Sequence, residues 1–298
     1  MSAVHNGGAD EDDSAAAENA RISRSDRQWS ANAAGSRRRR RRGFSFAARV
    51  LAGAAVLFVA LPPAAAHAEP PAAIPASVAE PDGKWQPAFD YDKDGCYPTP
   101  AIGPDGTVAE GLAIGGALNG NCRDQSDLDN TNAYARSKCN ANGWCAYMYG
   151  LYFEKDQTVV GPGGHGHRHD LEHVVVWVRD DQAQYVSASA HGDYDTLPAA
   201  EVLWEDTHPK IVYHKDGPGT HAFRFAADHD DEGDGQPENH YGEWQYPDLV
   251  SWNNFPEGVR DTFAAADYGS ATLDLKDGQF EKALGKAKPG DIEFDPAE

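Results

Sequence analysis

The apolar residues of this 298-residue chain come in short runs, and the spacing of these runs limits the folds that it can adopt. The runs are rich in β-branched and aromatic residues and are bounded by turn-forming residues, which is typical of strands. They are Trp144 to Phe153, His173 to Val178, Ala183 to Ala190, Lys210 to His214 and His221 to Ala226. Because long helices do not alternate with them, the pattern favours a β-sandwich over a fold built of βαβ units.

Three other segments carry helical signals. Glu257 to Asp267 and Phe280 to Ala287 have apolar residues three and four positions apart, and Asn132 to Cys139 is predicted to be a short helix. We therefore predict a mainly β protein with peripheral helices, an α+β chain in which one β-sandwich forms a single domain.

The first 68 residues have a composition unlike that of the remainder. Residues 1–43 lack hydrophobic periodicity and end in a run of arginines, so we expect a disordered, basic segment. Residues 44–68 contain an apolar run of 12 residues, Val50 to Leu61, which is shorter than the ~20 residues of a membrane-spanning helix. A basic flank, a short apolar core and a small-residue site are typical of a secretory signal peptide. We expect cleavage near Ala68 and a secreted, extracellular protein, with a membrane anchor as the alternative.

The remaining residues are strongly acidic. They carry 16 basic and 41 acidic side chains, a formal charge of −25. Such a chain lacks the positive surface that nucleic-acid binding requires, so we expect no nucleic-acid partner. The charge suits solubility after secretion, the binding of divalent cations, or both. The length of the segment after residue 68 fits one domain, which we assign to residues 92–298. The proline- and alanine-rich residues 69–91 are predicted to be a linker.

All four cysteines lie within 50 residues of one another in this acidic part. An even number of cysteines in an exported chain predicts two disulfides. The absence of any C-x-x-C spacing disfavours a zinc–thiolate cluster. Three pairings are possible, and our prediction is the sequential one, Cys96–Cys122 and Cys139–Cys145.

The densest polar cluster lies in the sequence GHGHRHDLEHVVVWV, which runs from Gly164 to Val178. If a strand begins near Asp170, then Asp170 and Glu172 point to the same face. His167 lies in a glycine-rich loop that can bend towards that face. Asp156 ends the preceding apolar run and can approach from a neighbouring strand.

One histidine and three carboxylates form an oxygen-rich set, which suits Ca²⁺, Mg²⁺ or Mn²⁺ better than zinc. We therefore predict a divalent-cation site with four ligands, namely Asp156, His167, Asp170 and Glu172. The alternative is that these residues only solvate the turn before a buried strand. The other histidines of the cluster are expected to be structural, namely His165, His169 and His173.

Signatures of common hydrolases are missing from the sequence. There is no helical H-E-x-x-H, no G-x-S-x-G elbow and no P-loop. Asp170 and Glu172 on one strand face also lack a separate partner acid for glycoside hydrolysis. We therefore expect that the protein is not an enzyme. A secreted metal-dependent polysaccharide hydrolase that uses Glu172 as its base is the alternative.

Gly166 to Glu172 reads GHRHDLE, which resembles the heptapeptide GHRHDWE of the necrosis- and ethylene-inducing peptide 1-like proteins, or NPP1-domain proteins. Six of the seven positions match, and Leu171 stands where the family usually has tryptophan. Further blocks resemble the family in order, namely DGCYPTPAI, GNCRD, NGWCAYMYGLYFEKD, SASAHGDYD, HPKIVYHKDG, THAFRFA and DYGSA. The resemblance covers roughly Asp92 to Ala287.

The resemblance implies a β-sandwich flanked by helices, similar to the sea-anemone actinoporins and to fungal lectins. It also implies a secreted cytolysin of plant pathogens that permeabilises eudicot cells and causes necrosis. The implied partner is the glycosylated inositol phosphoceramide headgroup of the plant plasma membrane, which a monomeric protein would contact peripherally. A non-toxic cell-surface lectin of the same fold is a further alternative.

The cation ligands implied by the resemblance are the four that the spacing also selects, namely Asp156, His167, Asp170 and Glu172. The resemblance adds His191 and His221 as residues of the same pocket. Cys96–Cys122 resembles the disulfide shared across the family, and Cys139–Cys145 resembles the second bridge of its four-cysteine type. The acidic loop Asp228 to Gly235 resembles an additional calcium-binding region, with a solvated acidic loop as the alternative.

Overall fold

The computed structural model describes residues 68–227 and 236–298. The expected disordered segment, the apolar core of the expected signal peptide and the acidic loop Asp228 to Gly235 lie outside these residues. In the two described ranges, no helix has the length and apolar character needed to cross a bilayer.

Six strands form the larger sheet, in which one edge strand pairs in parallel with its neighbour and the other four strand pairs are antiparallel. In spatial order the strands are β10 (Asp248–Ser251), β2 (Asn132–Cys139), β3 (Trp144–Gln157), β4 (Gly166–Arg179), β5 (Gln182–Ala190) and β6 (Asp193–Pro198).

A smaller sheet is arranged around one strand, β8 (His208–Lys215). This strand pairs in parallel with β1 (Ala88–Tyr91). It pairs antiparallel with both β7 (Trp204–Glu205) and β9 (His221–Phe225).

Two hydrophobic cores cover the opposite faces of the larger sheet. One core joins it to the smaller sheet, with Val174 and Val176 packed in the same cluster as Phe89 and Phe223. The other core joins it to the peripheral helices, with Trp177 packed in the same cluster as buried helix residues. Because β4 is covered on both faces, its apolar run is continuous rather than alternating. The predicted mainly β sandwich with peripheral helices is confirmed.

Four short α-helices occur in the described residues, and their bounds are α1 (Glu80–Lys84), α2 (Gln125–Leu128), α3 (Val259–Ala265) and α4 (Phe280–Ala287). α4 buries Phe280, Ala283, Leu284 and Ala287, which are spaced three and four positions apart on one face. α3 and α4 lie within the two C-terminal segments that the periodicity predicts to be helical.

Two predictions about local structure are wrong. Residues 69–91 are not a linker, because they contain α1 and β1 and bury Ile74, Trp85 and Phe89 in the cores. Asn132 to Cys139 is not a helix but the strand β2, which is held between β10 and β3. In both cases, contacts with residues distant in the chain determine the local conformation.

Both predicted disulfides are present. Cys96–Cys122 joins two loop segments within the core between the sheets. Cys139–Cys145 links directly opposite residues of β2 and β3. The structure thus selects the sequential pairing from the three that the sequence allows.

Candidate metal site

The β3–β4 hairpin brings the predicted ligands together. Its antiparallel register places Asp156 directly opposite His167, one pair from the end of the ladder at Gln157 and Gly166. One ligand atom each from Asp156, His167 and Asp170 lies within 4.8 Å of the other two. Three of the four predicted ligands therefore form one cluster.

His167 and Asp170 are three residues apart and would face opposite sides of a regular strand. His169 between them has a left-handed backbone conformation, with φ 61°, which interrupts the alternation. The His169 side chain is buried instead against Tyr152, whose hydroxyl lies 2.7 Å from its Nδ1. This local irregularity lets His167 and Asp170 serve the same site.

Asp170 is fixed by two donors. The Tyr213 hydroxyl donates to its Oδ2 at 2.9 Å, and the Leu171 backbone N–H donates to its Oδ1 at 3.0 Å. The Tyr213 ring stacks on Phe153 with 3.7 Å between centroids. The smaller sheet therefore supplies a rigid support for a carboxylate that belongs to the larger sheet.

Asp156 is fixed by His221 at the start of β9. The backbone N–H of His221 donates to both carboxylate oxygens, at 2.9 and 3.0 Å. Its Nδ1–H donates to Oδ1 at 2.7 Å. Burial lowers the pKa of His221, but the carboxylate of Asp156 and that of Asp94, which lies 3.7 Å from Nε2, outweigh burial and raise it to about 9. A protonated imidazole therefore faces the carboxylate of Asp156.

The His167 ring is oriented for metal binding. Its Nδ1 lies 2.7 Å from the carbonyl oxygen of His169, and because a carbonyl only accepts, Nδ1 carries the proton. In the neutral ring, Nε2 then has a lone pair that can bind a metal ion. Nε2 lies 3.9 Å from Asp156 Oδ2. Metal-binding histidines are commonly held by such a bond from the second ring nitrogen.

Glu172 lies outside the cluster of three. It borders the same cavity, but its Oε2 accepts a hydrogen bond from the Ser189 hydroxyl. Ser189 in turn accepts a 2.7 Å bond from the backbone N–H of His173. Burial, followed by the charge of Asp170, raises the pKa of Glu172 well above its usual value. The predicted set of four direct ligands is therefore reduced to three, with Glu172 beside them.

Three carboxyl groups are buried at this end of the sheet, since Asp156, Asp170 and Glu172 are 1%, 5% and 7% exposed. Burial and the neighbouring charge of Asp156 raise the pKa of Asp170 to about 6. Unpaired buried charges are unfavourable, and His221 supplies one positive charge against three acids. The donor chemistry and this charge imbalance both fit a hard divalent cation.

A cavity of about 740 Å³ opens beside the three ligands. His191 and His221, the two additional pocket residues expected from the sequence, both line it. His191 lies in the β5–β6 turn and bridges to the β8–β9 turn, where its Nε2 is 2.9 Å from Asp216 Oδ2 and its Nδ1 is 3.1 Å from Thr220 Oγ1. These contacts connect two turns at the cavity rim.

Some residues that contact the site are distant from it in the chain and were not predicted from the sequence. Tyr213, Ser189 and Asp94 contact the ligands or His221, but none of them lies in a recognisable ligand pattern. The pairing of β4 with β5 brings Ser189 near Glu172, and the packing of the smaller sheet on the larger one brings Tyr213 near Asp170. Leu171, which differs from the heptapeptide pattern, is buried in the helix-side core and also lines the cavity.

Comparison with known proteins identifies the family. Residues 80–287 match the family model described as "Necrosis inducing protein (NPP1)". The chain belongs to the NPP1 family. It is 33% identical to NLP effector protein 10 of Phytophthora capsici over 200 residues, which cover 65% of this chain and 77% of that protein. It is 32% identical to the necrosis-inducing protein NPP1 of Phytophthora nicotianae, over 68% of this chain and 80% of that protein.

Several solved structures have a fold similar to that of this NPP1-family protein. It resembles NLPPya in complex with mannosamine with a TM-score of 0.61 and 29% identity, over 74% of this chain and 96% of that one. It resembles the non-toxic HaNLP3 protein with a TM-score of 0.61 and 25% identity, over 74% of this chain and 99% of that one. A third structure, described as "Toxin fold as basis for microbial attack and plant defense", matches with a TM-score of 0.60 and 28% identity, over 73% of this chain and 96% of that one. The protein is therefore a four-cysteine NPP1-family member with the toxin fold.

Proposed function

We propose that this protein is a secreted, necrosis-inducing cytolysin that uses a bound divalent cation to recognise sphingolipid headgroups of the plant plasma membrane. The observation that carries the proposal is the cluster of Asp156, His167 and Asp170 at the edge of a large cavity. Membership of the NPP1 family and its toxin fold support a role in attack on plant cells.

The cation would be held by Asp156, His167 and Asp170, and it would supply a positive centre that attracts sugar oxygens. Carboxylate ligands favour Ca²⁺ or Mg²⁺, with Mn²⁺ as a third candidate. Glu172 and its partner Ser189 are positioned to orient groups on the other side of the cavity. The strongly acidic chain needs such a centre to approach an anionic headgroup.

The ligand that we propose is the glycan of glycosylated inositol phosphoceramide. The cavity of about 740 Å³ falls in the range of small-molecule sites and has room for more than one sugar ring. The structural neighbour NLPPya is described in complex with mannosamine, an amino sugar. These observations support a glycan as the ligand, and the proposal is that the protein binds it without chemical turnover.

Two alternatives make different predictions. A metal-dependent polysaccharide hydrolase would release sugars from cell-wall glycans, and the release would stop in Glu172→Gln. A non-toxic lectin, for which the likeness to HaNLP3 is the specific observation, would bind glycolipid without dye leakage from vesicles. Sugar release by the wild type would replace the cytolysin proposal with the first alternative.

The experiment that tests the proposal is infiltration of eudicot leaves with purified protein beside Asp170→Asn. Asp170→Asn removes a ligand charge without changing side-chain size, and Asp261→Asn on an exposed face of α3 is the matched control. We expect necrosis from the wild type and from Asp261→Asn, and at least tenfold more protein to be needed with Asp170→Asn. Equal necrosis from all three proteins would refute the cation mechanism.

A further inference from the structure

The β3–β4 turn exposes two neighbouring apolar side chains. Val159 is 45% exposed and Val160 is 72% exposed. Beside this turn runs the segment Gly111 to Gly120, in which Ile114 and Leu118 are half-exposed. We call these two segments, residues 111–120 and 158–165, the apolar tip.

The two segments of the apolar tip are fastened to each other. Gly161 N–H donates to the Gly116 carbonyl at 2.9 Å, and Gly116 N–H donates to the Gly161 carbonyl at 3.2 Å. The Gln157 amide bridges them as well, since it accepts from Gly115 N–H at 2.8 Å and donates to the Val159 carbonyl at 2.7 Å. Val159 and Val160 therefore lie on a turn whose backbone is held in place by hydrogen bonds to the neighbouring segment.

The charge distribution sets the apolar tip apart from the rest of the chain. None of its 18 residues is acidic, although the chain contains 47 aspartates and glutamates. Its own ionisable residue is His165, and Arg168 follows it and donates to the carbonyls of Glu110 and Gly111. An apolar, acid-free surface on a strongly acidic protein is compatible with an anionic lipid surface.

The apolar tip lies next to the candidate metal site. Val160 follows Asp156 by four residues, which corresponds to at most about 14 Å of chain. Gly166 and His167 at the other end of the turn pair with Gln157 and Asp156. The β8–β9 turn belongs to the same end of the sandwich, because His221 directly after it contacts Asp156. A membrane whose headgroup entered the cavity would therefore lie close to the tip.

From these observations we infer that the apolar tip inserts Val159 and Val160 into the interface of the target membrane. The inference rests on the proposed function, because headgroup binding at the cation site brings the tip to the bilayer. Two exposed valines alone bury too little apolar area for stable membrane binding, and a second attachment is needed. Headgroup binding supplies specificity, and the tip supplies apolar contact and fixes the orientation of the protein.

The first test compares Val159→Ser/Val160→Ser with the wild type in co-sedimentation with phosphatidylcholine–sitosterol vesicles, with and without glycosylated inositol phosphoceramide. The matched control is Val78→Ser, because Val78 is 42% exposed and lies beside Ser77, which bridges to the β10 edge of the sheet. We expect the double variant to bind glycolipid vesicles about tenfold more weakly, while Val78→Ser binds normally. Calorimetric Ca²⁺ affinity should be unchanged in all three proteins.

Two outcomes separate the inference from the proposed function. Vesicle binding by the double variant that equals that of the wild type overturns the membrane role of the tip and leaves the proposed function standing. A wild type that binds neither kind of vesicle overturns both.

The second test places an environment-sensitive dye at Val160→Cys and, as control, at Val78→Cys. Insertion predicts a blue-shifted, brighter emission at position 160 on glycolipid vesicles and unchanged emission at position 78. Emission at position 160 that does not respond to vesicles contradicts insertion. So does emission that responds only to protein concentration, because the tip would then dock a second copy of the chain.

Discussion

Both halves of β4 contain buried side chains, yet these side chains are stabilised in opposite ways. Val174 to Trp177 are fully buried between two apolar cores. Asp170 and Glu172, in the other half, are 5% and 7% exposed and carry carboxyl groups. In the apolar half, contacts with other apolar side chains of the protein stabilise the strand. In the acidic half, carboxyl groups lie close together, and burial makes their negative charges unfavourable.

The difference shows how paired strands of a β-sandwich can bring candidate metal ligands together. The apolar half of the β3–β4 hairpin fixes the register, and that register holds Asp156 and His167 opposite each other. The acidic half contains buried carboxyl groups whose mutual repulsion a bound cation would relieve. We therefore expect substitutions in the apolar half to act independently of cations, and substitutions in the acidic half to depend on them.

The largest effect is expected in the apolar half, from Trp177→Ala. Trp177 is fully buried, packs edge-on against Phe294 and donates from Nε1 to Ser187 Oγ at 2.9 Å. Its removal should lower the free energy of unfolding by about 3–5 kcal/mol. Urea denaturation should give the same loss in EDTA and in CaCl₂. A loss of unfolding free energy that differed between the two buffers would contradict the claim that the apolar half is stabilised independently of cations.

The next effect is a pH dependence of the cation-free protein. Asp170 has a folded-state pKa of about 6, above its usual value, so its protonated form is favoured in the folded state. The associated stability is fully present below about pH 4 and is lost as pH rises through about 6, which amounts to about 3 kcal/mol by pH 7. His221, with a pKa raised from 6.5 to about 9, contributes an almost constant amount up to about pH 6 and begins to lose it as pH rises above about 6.5.

The measurement is urea denaturation from pH 4 to 7 in EDTA, with Asp170→Asn as the control for the other titrating groups. The difference between wild type and variant should change by about 3 kcal/mol across this window, in favour of the variant at high pH. A difference that stays flat would show that Asp170 is not destabilised by its surroundings.

A smaller change in stability is expected from Asp170→Asn at pH 7, and its sign should depend on whether a cation is present. In EDTA the variant should be more stable than the wild type by about 2 kcal/mol, since it removes one buried charge. In 10 mM CaCl₂ the order should reverse, because only the wild type gains stability from binding. Thermal unfolding in the two buffers measures both signs. A variant that stays less stable in EDTA would place Asp170 among ordinary structural residues.

The smallest effect is expected from Ser189→Ala, which removes the hydroxyl that donates to Glu172. The loss should be about 1 kcal/mol in unfolding free energy, with Ca²⁺ affinity changed less than threefold, because Glu172 lies outside the cluster of three ligands. Calorimetric titration measures the affinity. A loss of Ca²⁺ binding in this variant would restore Glu172 as a direct ligand.

The sequence predicted the strands well because their signal is local. Continuous apolar runs such as His173 to Val178 predicted the core strands, and the even number of cysteines predicted the disulfides. Residues 69–91 have no periodic pattern, and their packing is determined by partners such as Leu249, whose carbonyl accepts from Ser77. Asn132 to Cys139 was predicted to be helical, yet Ala133 and Ala135 are small residues that pack in the core between the sheets.

The candidate site was predictable only in part, for a similar reason. The spacing of Asp156, His167 and Asp170 indicated a cation site, but simple strand alternation could not explain how His167 joined it. The left-handed backbone at His169 explains that step and leaves no signature in the residue type. Tyr213 and His221 stabilise the ligands from a second sheet, and only the packing of the two sheets shows this.

The most direct test of the cation site is a crystal structure of the protein soaked in MnCl₂, with anomalous diffraction data collected for manganese. The arrangement predicts one strong anomalous peak about 2.0–2.6 Å from a carboxylate oxygen of Asp156, from Nε2 of His167 and from a carboxylate oxygen of Asp170. Crystals of Asp170→Asn should show no peak there. An absence of the peak in the wild type, or a peak held by other residues, would contradict the proposed site.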